Sequence, residues 1–510
     1  MTPAAVDVAI VGGGHNGLVA AAYCARAGLS TVVLERRPVL GGACVTEEVW
    51  PGYRVSVAAY VCSLLDPAIV AELDLAAHGL AIYRKDPASF TALRDGRSLL
   101  LGADAADNAR EIARFDRRDV EGFARFEHEA ARLGALLFAS FDDPAPSFSR
   151  FSEGDRALLC GSAADLVERY VRTPALAATL ATDGVIGTNA GPRDAGTAYV
   201  LAHHWAGRAL GAQGMWGFVR GGMGAVSAAL AAAARAAGAT LRTDAPVERI
   251  VVRGGRASRL ELRDGEIVDA RAILVNADPR SLFLRLLARD DVPPETLERA
   301  QAWQLNGAAF KLNLALGELP NFTARPGVAP APHHQATIHI APSIDALQDA
   351  FEDARAHGTS RAPMLECFMQ SPTDPSMVPP GKHVLSVFAQ WFPYRRPDRA
   401  WLPADREAIA DRIVATLATY APNLPGAIEH RQALGAPDLE ALLGLGGGQI
   451  FHGELLPEQI YERRFGVRTP IAGLYLCGSG THPGGCVSGF PGRRAARAVF
   501  ADARAPVGAL

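Results

Sequence analysis

Closely spaced glycines near the amino terminus have the pattern of a phosphate-binding turn. The β-branched run Val6–Val11 predicts a buried strand, and Gly12, Gly14 and Gly17 follow it with the spacing G-x-G-x-x-G. Gly12 allows a tight turn, Gly14 lets the backbone approach a pyrophosphate, and Gly17 lets the next helix pack on the strand. Amide groups at the start of that helix suit bound phosphates. These residues therefore predict a dinucleotide site.

An acidic residue completes this βαβ pattern. A helix over about 18–27 and a second strand over 31–34 lead to Glu35, whose carboxylate can accept a hydrogen bond from an adenosine ribose hydroxyl. His15 and Asn16 lie inside the glycine turn, and we expect both to contact the cofactor. For His15, this role is favoured over catalysis.

A second glycine-rich motif occupies residues 473–489. A strand over 474–477 opens into a loop, and Pro491 suits the first turn of a final helix. The amino terminus of that helix directs positive charge at whatever occupies the loop. We predict that six loop residues belong to the cofactor site: Gly478, Ser479, Gly480, Gly484, Gly485 and Val487.

Composition excludes several classes of protein. A chain of 510 residues can form two or three domains, and a net charge of −3 gives no sign of a nucleic-acid partner. No apolar run approaches the ~20 residues that a membrane span needs. We expect a cytoplasmic location, with peripheral membrane contact left open. The seven cysteines include no C-x-x-C pair, so we predict no metal site and no dithiol centre, and for Cys486 we favour a packing role.

The residues after Glu35 resemble those of FAD-binding two-dinucleotide-domain flavoproteins. In that group, a glycine pair such as Gly41 and Gly42 lies along the pyrophosphate. The resemblance therefore implies FAD and also places Arg36 and Ala43 in its site. It further implies that a strand beginning at Val247 passes the adenine.

The motifs at 12–17 and 473–489 together resemble the phytoene desaturase branch of the FAD-dependent amine-oxidase-like superfamily. Gln449-Ile450-Phe451-His452-Gly453 is similar to the phytoene-dehydrogenase-related group called pyridine nucleotide-disulphide oxidoreductase domain-containing protein 2. The resemblance covers nearly the whole chain. It implies an α/β fold with a Rossmann-like two-dinucleotide-binding FAD domain, a mixed-sheet substrate domain and a helical insertion. Ser479 stands where many related flavoproteins have an aspartate.

The expected domains are interleaved along the chain. We predict a discontinuous FAD-binding domain from 1–109, 213–300 and 446–510, a mainly helical insertion at 110–212, and a substrate domain at 301–445 with an antiparallel or mixed sheet. In the last of these, Phe310, Leu312, Leu314 and Leu316 alternate with polar residues. Their apolar face could wall a substrate cleft or pack against the helices of 110–212.

These observations predict an FAD-dependent oxidoreductase that dehydrogenates or desaturates an apolar small molecule by hydride transfer to flavin N5. An amine oxidase-type flavoenzyme and a flavoprotein that regulates a partner are the alternatives. The electron acceptor, with oxygen or a quinone as candidates, and the oligomeric state are left open. We name His452 and His482 as candidate catalytic residues: a structural hydrogen bond suits His452 equally well, and a helix-capping role is the alternative for His482.

Overall fold

The structure, a computed structural model, describes residues 5–504. Its strands are β1 (Val6–Val11), β2 (Thr31–Leu34), β3 (Thr46–Trp50), β4 (Tyr53–Ser56), β5 (Ile82–Arg84), β6 (Ser89–Ala92), β7 (Ser98–Leu101), β8 (Gly217–Val219), β9 (Thr240–Arg242), β10 (Val247–Arg253), β11 (Arg256–Leu262), β12 (Ile267–Val275), β13 (Ala309–Leu316), β14 (Thr337–Ile340), β15 (Met364–Phe368), β16 (His383–Gln390), β17 (Ile428–Leu434) and β18 (Leu474–Leu476). Its helices are α1 (His15–Arg26), α2 (Pro67–Glu72), α3 (Ala105–Ala113), α4 (Arg118–Ser140), α5 (Glu153–Cys160), α6 (Ala163–Glu168), α7 (Pro174–Ala181), α8 (Thr197–His204), α9 (Gly224–Ala236), α10 (Pro279–Ser281), α11 (Pro294–Ala302), α12 (Pro332–Gln335), α13 (Ile344–His357), α14 (Pro403–Ala418), α15 (Leu424–Ala427), α16 (Ala436–Leu443) and α17 (Phe490–Arg504).

The first sheet has the strand order β10-β11-β12-β1-β2-β9, with β18 also paired to β12. β1 lies between β2 and β12 and runs parallel to both. Its residues 8–11 are apolar because both faces are covered there: Val8 and Ile10 pack in the core with α1, α9 and α17, and Ala9 packs on the opposite side. The carboxyl ends of β1, β2 and β12 therefore share one edge, where open α/β sheets bind ligands. This confirms the predicted α/β FAD-type fold.

The two ends of the chain meet at the crossing of α1 and α17. A Cβ atom at Gly492 of α17 would lie 2.1 Å from the backbone oxygen of Asn16. Only a glycine allows the two helices to approach so closely, because a real Cβ cannot come that near an oxygen atom. The final helix is thus fixed against the first dinucleotide helix.

The second sheet has the strand order β17-β13-β16-β15-β14-β6-β7. On β13, Phe310, Leu312 and Leu314 pack in one core with Ile409 and Ile413 of α14. This corrects both expectations for the apolar face: α14 covers it, so it neither walls a cleft nor packs on the helices of 110–212. The polar side of the strand points the other way.

The segment predicted as 1–109 of the FAD domain is divided between the two sheets. β6 and β7 belong to the second sheet, where β6 runs parallel to β14 and Phe90 lies opposite Ile338. This pairing covers an edge of β14 that would otherwise expose its backbone groups. Between β7 and β8 the regular elements are helices, among them α4 to α8. Among residues 5–504, no helix is long and apolar enough to cross a membrane.

Candidate active site

A cavity of about 700 Å³ extends from the first sheet to the second. One end is lined by Gly12, Gly14 and Glu35 at the carboxyl edge of β1 and β2. The other end is lined by Lys311 and Glu366, from β13 and β15 of the second sheet. The fold therefore joins the predicted dinucleotide turn and the second sheet along one continuous cavity.

Two backbone amides orient the carboxylate of Glu35. The N–H of Gly13 donates to Oε2 at 2.7 Å, and the N–H of Arg37 donates to Oε1 at 2.9 Å. The side chain is buried at the end of β2. It lines the cavity together with Arg36 and Val247, and this position suits a hydrogen bond to a ribose hydroxyl.

The turn after β1 is locked to the glycine pair that follows Glu35. Gly14 and Gly41 form a parallel bridge, and the N–H of Gly41 donates to the oxygen of Gly13 at 2.9 Å. Gly41 and Gly42 have φ values of +125° and +57°, in the region that favours glycine. Together with Ala43, the pair lines the same stretch of the cavity. Two separate glycine segments thus present backbone to one ligand.

Buried polar atoms in the cavity wall lack partners within the protein. His15 Nε2, Asn16 Oδ1 and His452 Nδ1 make no hydrogen bond to any described residue. Burial, together with the neighbouring His452, lowers the pKa of His15 to about 4, so the imidazole is neutral at physiological pH. Because buried polar groups are nearly always hydrogen-bonded, these atoms fit a polar ligand such as a dinucleotide. The residues present therefore suit FAD.

The carboxyl-terminal loop contacts the first turn directly. Asn16 Nδ2 donates to Ser479 Oγ at 3.2 Å, and Ser479 and Val487 both line the cavity. The four predicted loop glycines and Gly17 do not line it; they allow close packing instead. Their added Cβ atoms would lie 2.3–2.6 Å from neighbouring atoms: Gly17, Gly478, Gly480, Gly484 and Gly485.

The two candidate catalytic histidines occupy different environments. His452 lines the cavity, with φ of +55° and its backbone oxygen accepting a bond from Trp303 Nε1 at 2.9 Å. His482 does not line the cavity. Its Nε2 lies 3.1 Å from the backbone oxygen of Ser140, and its ring centroid lies 4.7 Å from that of Tyr461. The placement of His482 favours a structural role that joins the loop to α4.

The polar side of β13 and its neighbours forms the far wall of the cavity. Lys311 donates to Ser386 Oγ, which in turn donates to Asn313 Oδ1 at 2.8 Å. The ammonium nitrogen of Lys311 also lies 3.9 Å from the ring centroid of Tyr60. Burial lowers the pKa of Lys311 well below its usual range.

A second lysine approaches the same region from the residue after β5. Lys85 donates to Thr337 Oγ1, and its ammonium nitrogen lies 5.3 Å from the ring centroid of Phe368. Burial lowers the pKa of Lys85 to about 8, although nearby carboxylates oppose the shift. The rings of Phe368 and Tyr60 are themselves 4.1 Å apart between centroids. Each lysine therefore contacts one ring of an aromatic pair.

The carboxylates of this region are paired with neutral donors or histidine. Glu366 lies 3.2 Å from His339 Nε2, and Trp205 Nε1 donates to Asp183 at 3.1 Å. Burial raises the pKa of Asp183. The ring of His204 stacks on that of Trp216 at this wall. Burial lowers the pKa of His204, but the hydrogen bond to Cys486 and nearby negative charge outweigh burial and raise the pKa to about 9.

Sequence reasoning missed Lys85, Asp183 and Glu366 as site residues. A signal was nevertheless present, because the chain contains three lysines among its 51 lysines and arginines. Two of the three lysines line this cavity.

Comparisons with known proteins agree with the geometry of this site. The family of flavin containing amine oxidoreductases matches residues 17–500. The chain therefore belongs to this family, and it is an FAD-dependent oxidoreductase.

Individual relatives cover nearly the whole chain. Mouse pyridine nucleotide-disulfide oxidoreductase domain-containing protein 2 is 39% identical, over 97% of this chain and 93% of its own. A lycopene-forming phytoene desaturase of Pseudescherichia vulneris is 27% identical, over 95% and 96%. The solved structure of cyclohexylamine oxidase from Brevibacterium oxydans has a TM-score of 0.61 at 16% identity, over 98% of this chain and 100% of that chain, and shares the fold. The predicted family is confirmed.

Replacing Glu35 by alanine should weaken FAD binding by about 1–3 kcal/mol, the scale of a lost hydrogen bond to a charged group. The dissociation constant can be measured by quenching of flavin fluorescence. Glu47→Ala is the matched control, because this carboxylate pairs with Arg37 at 2.9 Å but does not line the cavity. Equal FAD affinity in the wild type and the Glu35 variant would contradict the ribose assignment.

Proposed function

We propose that this oxidoreductase dehydrogenates a small molecule with a predominantly apolar body, by hydride transfer from a C–H bond. The observation that supports the proposal is the cavity of about 700 Å³, which joins the dinucleotide turn to a wall of buried side chains. When bound, FAD supplies a hydride acceptor at flavin N5.

The protein itself contributes placement and exclusion of water. Ile186, Phe388 and Trp216 line the cavity beyond the cofactor turn, with Leu101 and Phe123 further along. These apolar side chains suit the body of a substrate and keep water away from the reacting carbon. Close placement and a dry wall lower the barrier to hydride transfer without requiring a protein nucleophile.

Amine oxidation is the less favoured alternative at this site. An aromatic pair that received an ammonium substrate would need a free ring face. Lys311 lies over Tyr60 and Lys85 over Phe368, so the ammonium groups of the protein already contact this pair. A substrate amine would therefore compete with these lysine side chains for contact with the rings.

Anaerobic bleaching of the flavin tests the proposal. FAD-loaded protein would be mixed with polyenes, long-chain aliphatic compounds and primary amines, and the flavin absorbance followed. We expect bleaching by at least one compound of the first two classes, and recovery on addition of oxygen or a quinone would identify the acceptor. Bleaching by amines alone would overturn the proposal.

The reaction should need no protein thiol. Burial raises the pKa of the Cys477 thiol, and Cys486, which lines the cavity, is unbridged like every other cysteine among residues 5–504. We expect the double variant Cys477→Ala/Cys486→Ser to retain flavin reduction by the substrate found above. Complete loss of reduction with FAD still bound would show that a thiol takes part.

A cytoplasmic location, with peripheral membrane contact as the alternative, remains part of this proposal. Cell fractionation followed by a salt wash would separate the two, since a peripheral protein is released from membranes by salt.

A further inference from the structure

A histidine and a cysteine that the proposed reaction does not use form a hydrogen-bonded pair in the cavity wall. His204, the last residue of α8, is 3% exposed, and its side chain is hydrogen-bonded to that of Cys486. Both residues line the cavity. The residue before each is also in contact, because His203 Nε2 lies 3.3 Å from the backbone oxygen of Gly485. The end of α8 and the carboxyl-terminal loop are therefore joined at two successive positions.

The two ring nitrogens of His204 have different roles. Nδ1 lies 2.9 Å from the backbone oxygen of Val200, one turn earlier in α8, and this oxygen can only accept a hydrogen bond. Nδ1 therefore carries a proton, which leaves Nε2 for the thiol of Cys486. The ring also stacks on Trp216, with centroids 6.0 Å apart and planes inclined by 27°. His204 is thus fixed in an orientation that allows Nε2 to take the thiol proton.

Nearby charge favours the transfer of that proton. Asp183 lines the cavity as well, and its carboxylate accepts a hydrogen bond from Trp205 Nε1 at 3.1 Å. Burial lowers the pKa of His204, but the bond to Cys486 and the negative charge of Asp183 act in the opposite direction and raise it to about 9. An imidazole that holds a proton so firmly activates a neighbouring thiol as a nucleophile.

The other six cysteines of the chain have different surroundings. All six lie within residues 5–504, and none of them lines the cavity. Burial raises the pKa of each of these thiols, to about 12 in the first three: Cys24, Cys44, Cys62, Cys160, Cys367 and Cys477. A thiol with a raised pKa forms little thiolate at neutral pH. Cys486 is therefore the cysteine whose surroundings favour reaction.

Packing alone does not explain a side chain at position 486. The backbone of Cys486 has a φ of +67°, a conformation that glycine adopts without the steric cost of a Cβ atom. Backbone conformations of this kind are concentrated at functional sites, where the surrounding structure holds them in place.

We propose that Cys486 is a covalent modification site for α,β-unsaturated carbonyl compounds with an apolar body. The thiol passes its proton to His204 Nε2, and the sulfur forms a bond to the β carbon while the carbon–carbon π bond opens to an enolate. The imidazolium then returns the proton to the α carbon, so the addition needs neither an oxidant nor a reductant. Leu64, Trp216 and Phe451 line the same cavity and suit the apolar body of the electrophile. The adduct excludes substrate from the cavity, although the thiol takes no part in hydride transfer.

Mass spectrometry of the FAD-loaded protein tests this assignment. The probe is 3-octen-2-one, and 2-octanone, which lacks the double bond, is its control. We expect the enone alone to add, once per chain, and the adduct to map to Cys486 after borohydride reduction and digestion. Cys160 is the internal reference, because it is also partly exposed but does not line the cavity. Addition to Cys160 should be about tenfold or more slower, the factor expected where less thiolate is present.

Two histidine variants separate proton transfer from packing of the loop. His204→Phe should slow addition to Cys486 by about a hundredfold, the lower end of the contribution of a positioned general base. His203→Phe is the matched control, since this side chain contacts the loop at the oxygen of Gly485 and should affect the rate far less. Flavin absorbance and the melting temperature verify that each variant is intact. If His204→Phe loses FAD, the relative rates at Cys486 and Cys160 in the wild type decide the question.

The possible outcomes separate this inference from the proposed function. Equal rates at Cys486 and Cys160, absence of an adduct at Cys486 in the FAD-loaded protein, or an unchanged rate in His204→Phe overturns the modification site and leaves hydride transfer untouched. Addition that depends on His204, in a protein whose flavin no polyene or aliphatic compound bleaches, supports the modification site and overturns the proposed function.

Discussion

Replacing Arg464 by methionine should lower the free energy of unfolding by about 3–5 kcal/mol, the cost of breaking a buried charged network. The guanidinium donates to the backbone oxygens of Thr481 (3.2 Å), Glu454 (3.0 Å), Gln459 (3.1 Å), Ser479 (2.7 Å) and Phe451. Burial lowers the pKa of Arg464 to about 10, so the group remains charged at neutral pH. Its loss would leave these carbonyls without their donor.

The same variant should lose FAD, because Arg464 fixes Ser479 and the segment of Phe451 and His452 at once. Chemical denaturation gives the stability, and flavin absorbance after gel filtration gives the cofactor content. Arg463→Met is the control: its side chain is exposed and donates to the oxygen of Pro457 at 3.0 Å. If both variants behave alike, the central role of Arg464 is refuted.

Replacing Gly17 by alanine should cost about 3 kcal/mol, at the upper end of the range for overpacking. The new Cβ would lie 2.3 Å from the backbone oxygen of Gly12, and neither atom belongs to a flexible side chain. Alanine gains up to about 1 kcal/mol in helix propensity over glycine, which is too little to offset the clash. The turn must therefore shift at Gly12 and Gly14.

We expect the shifted turn to release FAD on dialysis, with stability measured by thermal unfolding of the FAD-free protein. Gly426→Ala is the control, because nothing lies within 4 Å of its added Cβ. Full retention of FAD by the Gly17 variant would show that the turn tolerates displacement.

The parts predicted correctly from the sequence are those that depend on local pattern. The strand 31–34 has the observed bounds of β2, and Glu35 follows it as expected. The first helix begins three residues earlier than predicted, at His15, because the phosphate turn passes directly into the helix. Ser479 lines the cavity and accepts a hydrogen bond from Asn16, so the two glycine-rich motifs lie side by side.

The parts that were missed depend on contacts between distant segments. β6 has no feature that assigns it to β14, since the pairing is decided by which strand edge remains open in the folded protein. The sequence predicts the alternation of apolar and polar residues on β13. It does not predict that α14 covers the apolar face. Arg464 was not predicted, because the sequence does not distinguish a buried arginine from an exposed one. Its partners are backbone oxygens, which every residue has, so residue types do not identify them.

The crossing of the first and last helices has a consequence for synthesis of the protein on the ribosome. β1 and α1 leave the exit tunnel long before Ser479, Val487 and the helix that packs on Asn16 are translated. During most of translation, the nascent chain thus contains only the amino-terminal part of the FAD site. A premature stop codon before Ser479 would yield a protein that does not bind FAD and is therefore colourless. Cofactor loading is in this way a post-translational event.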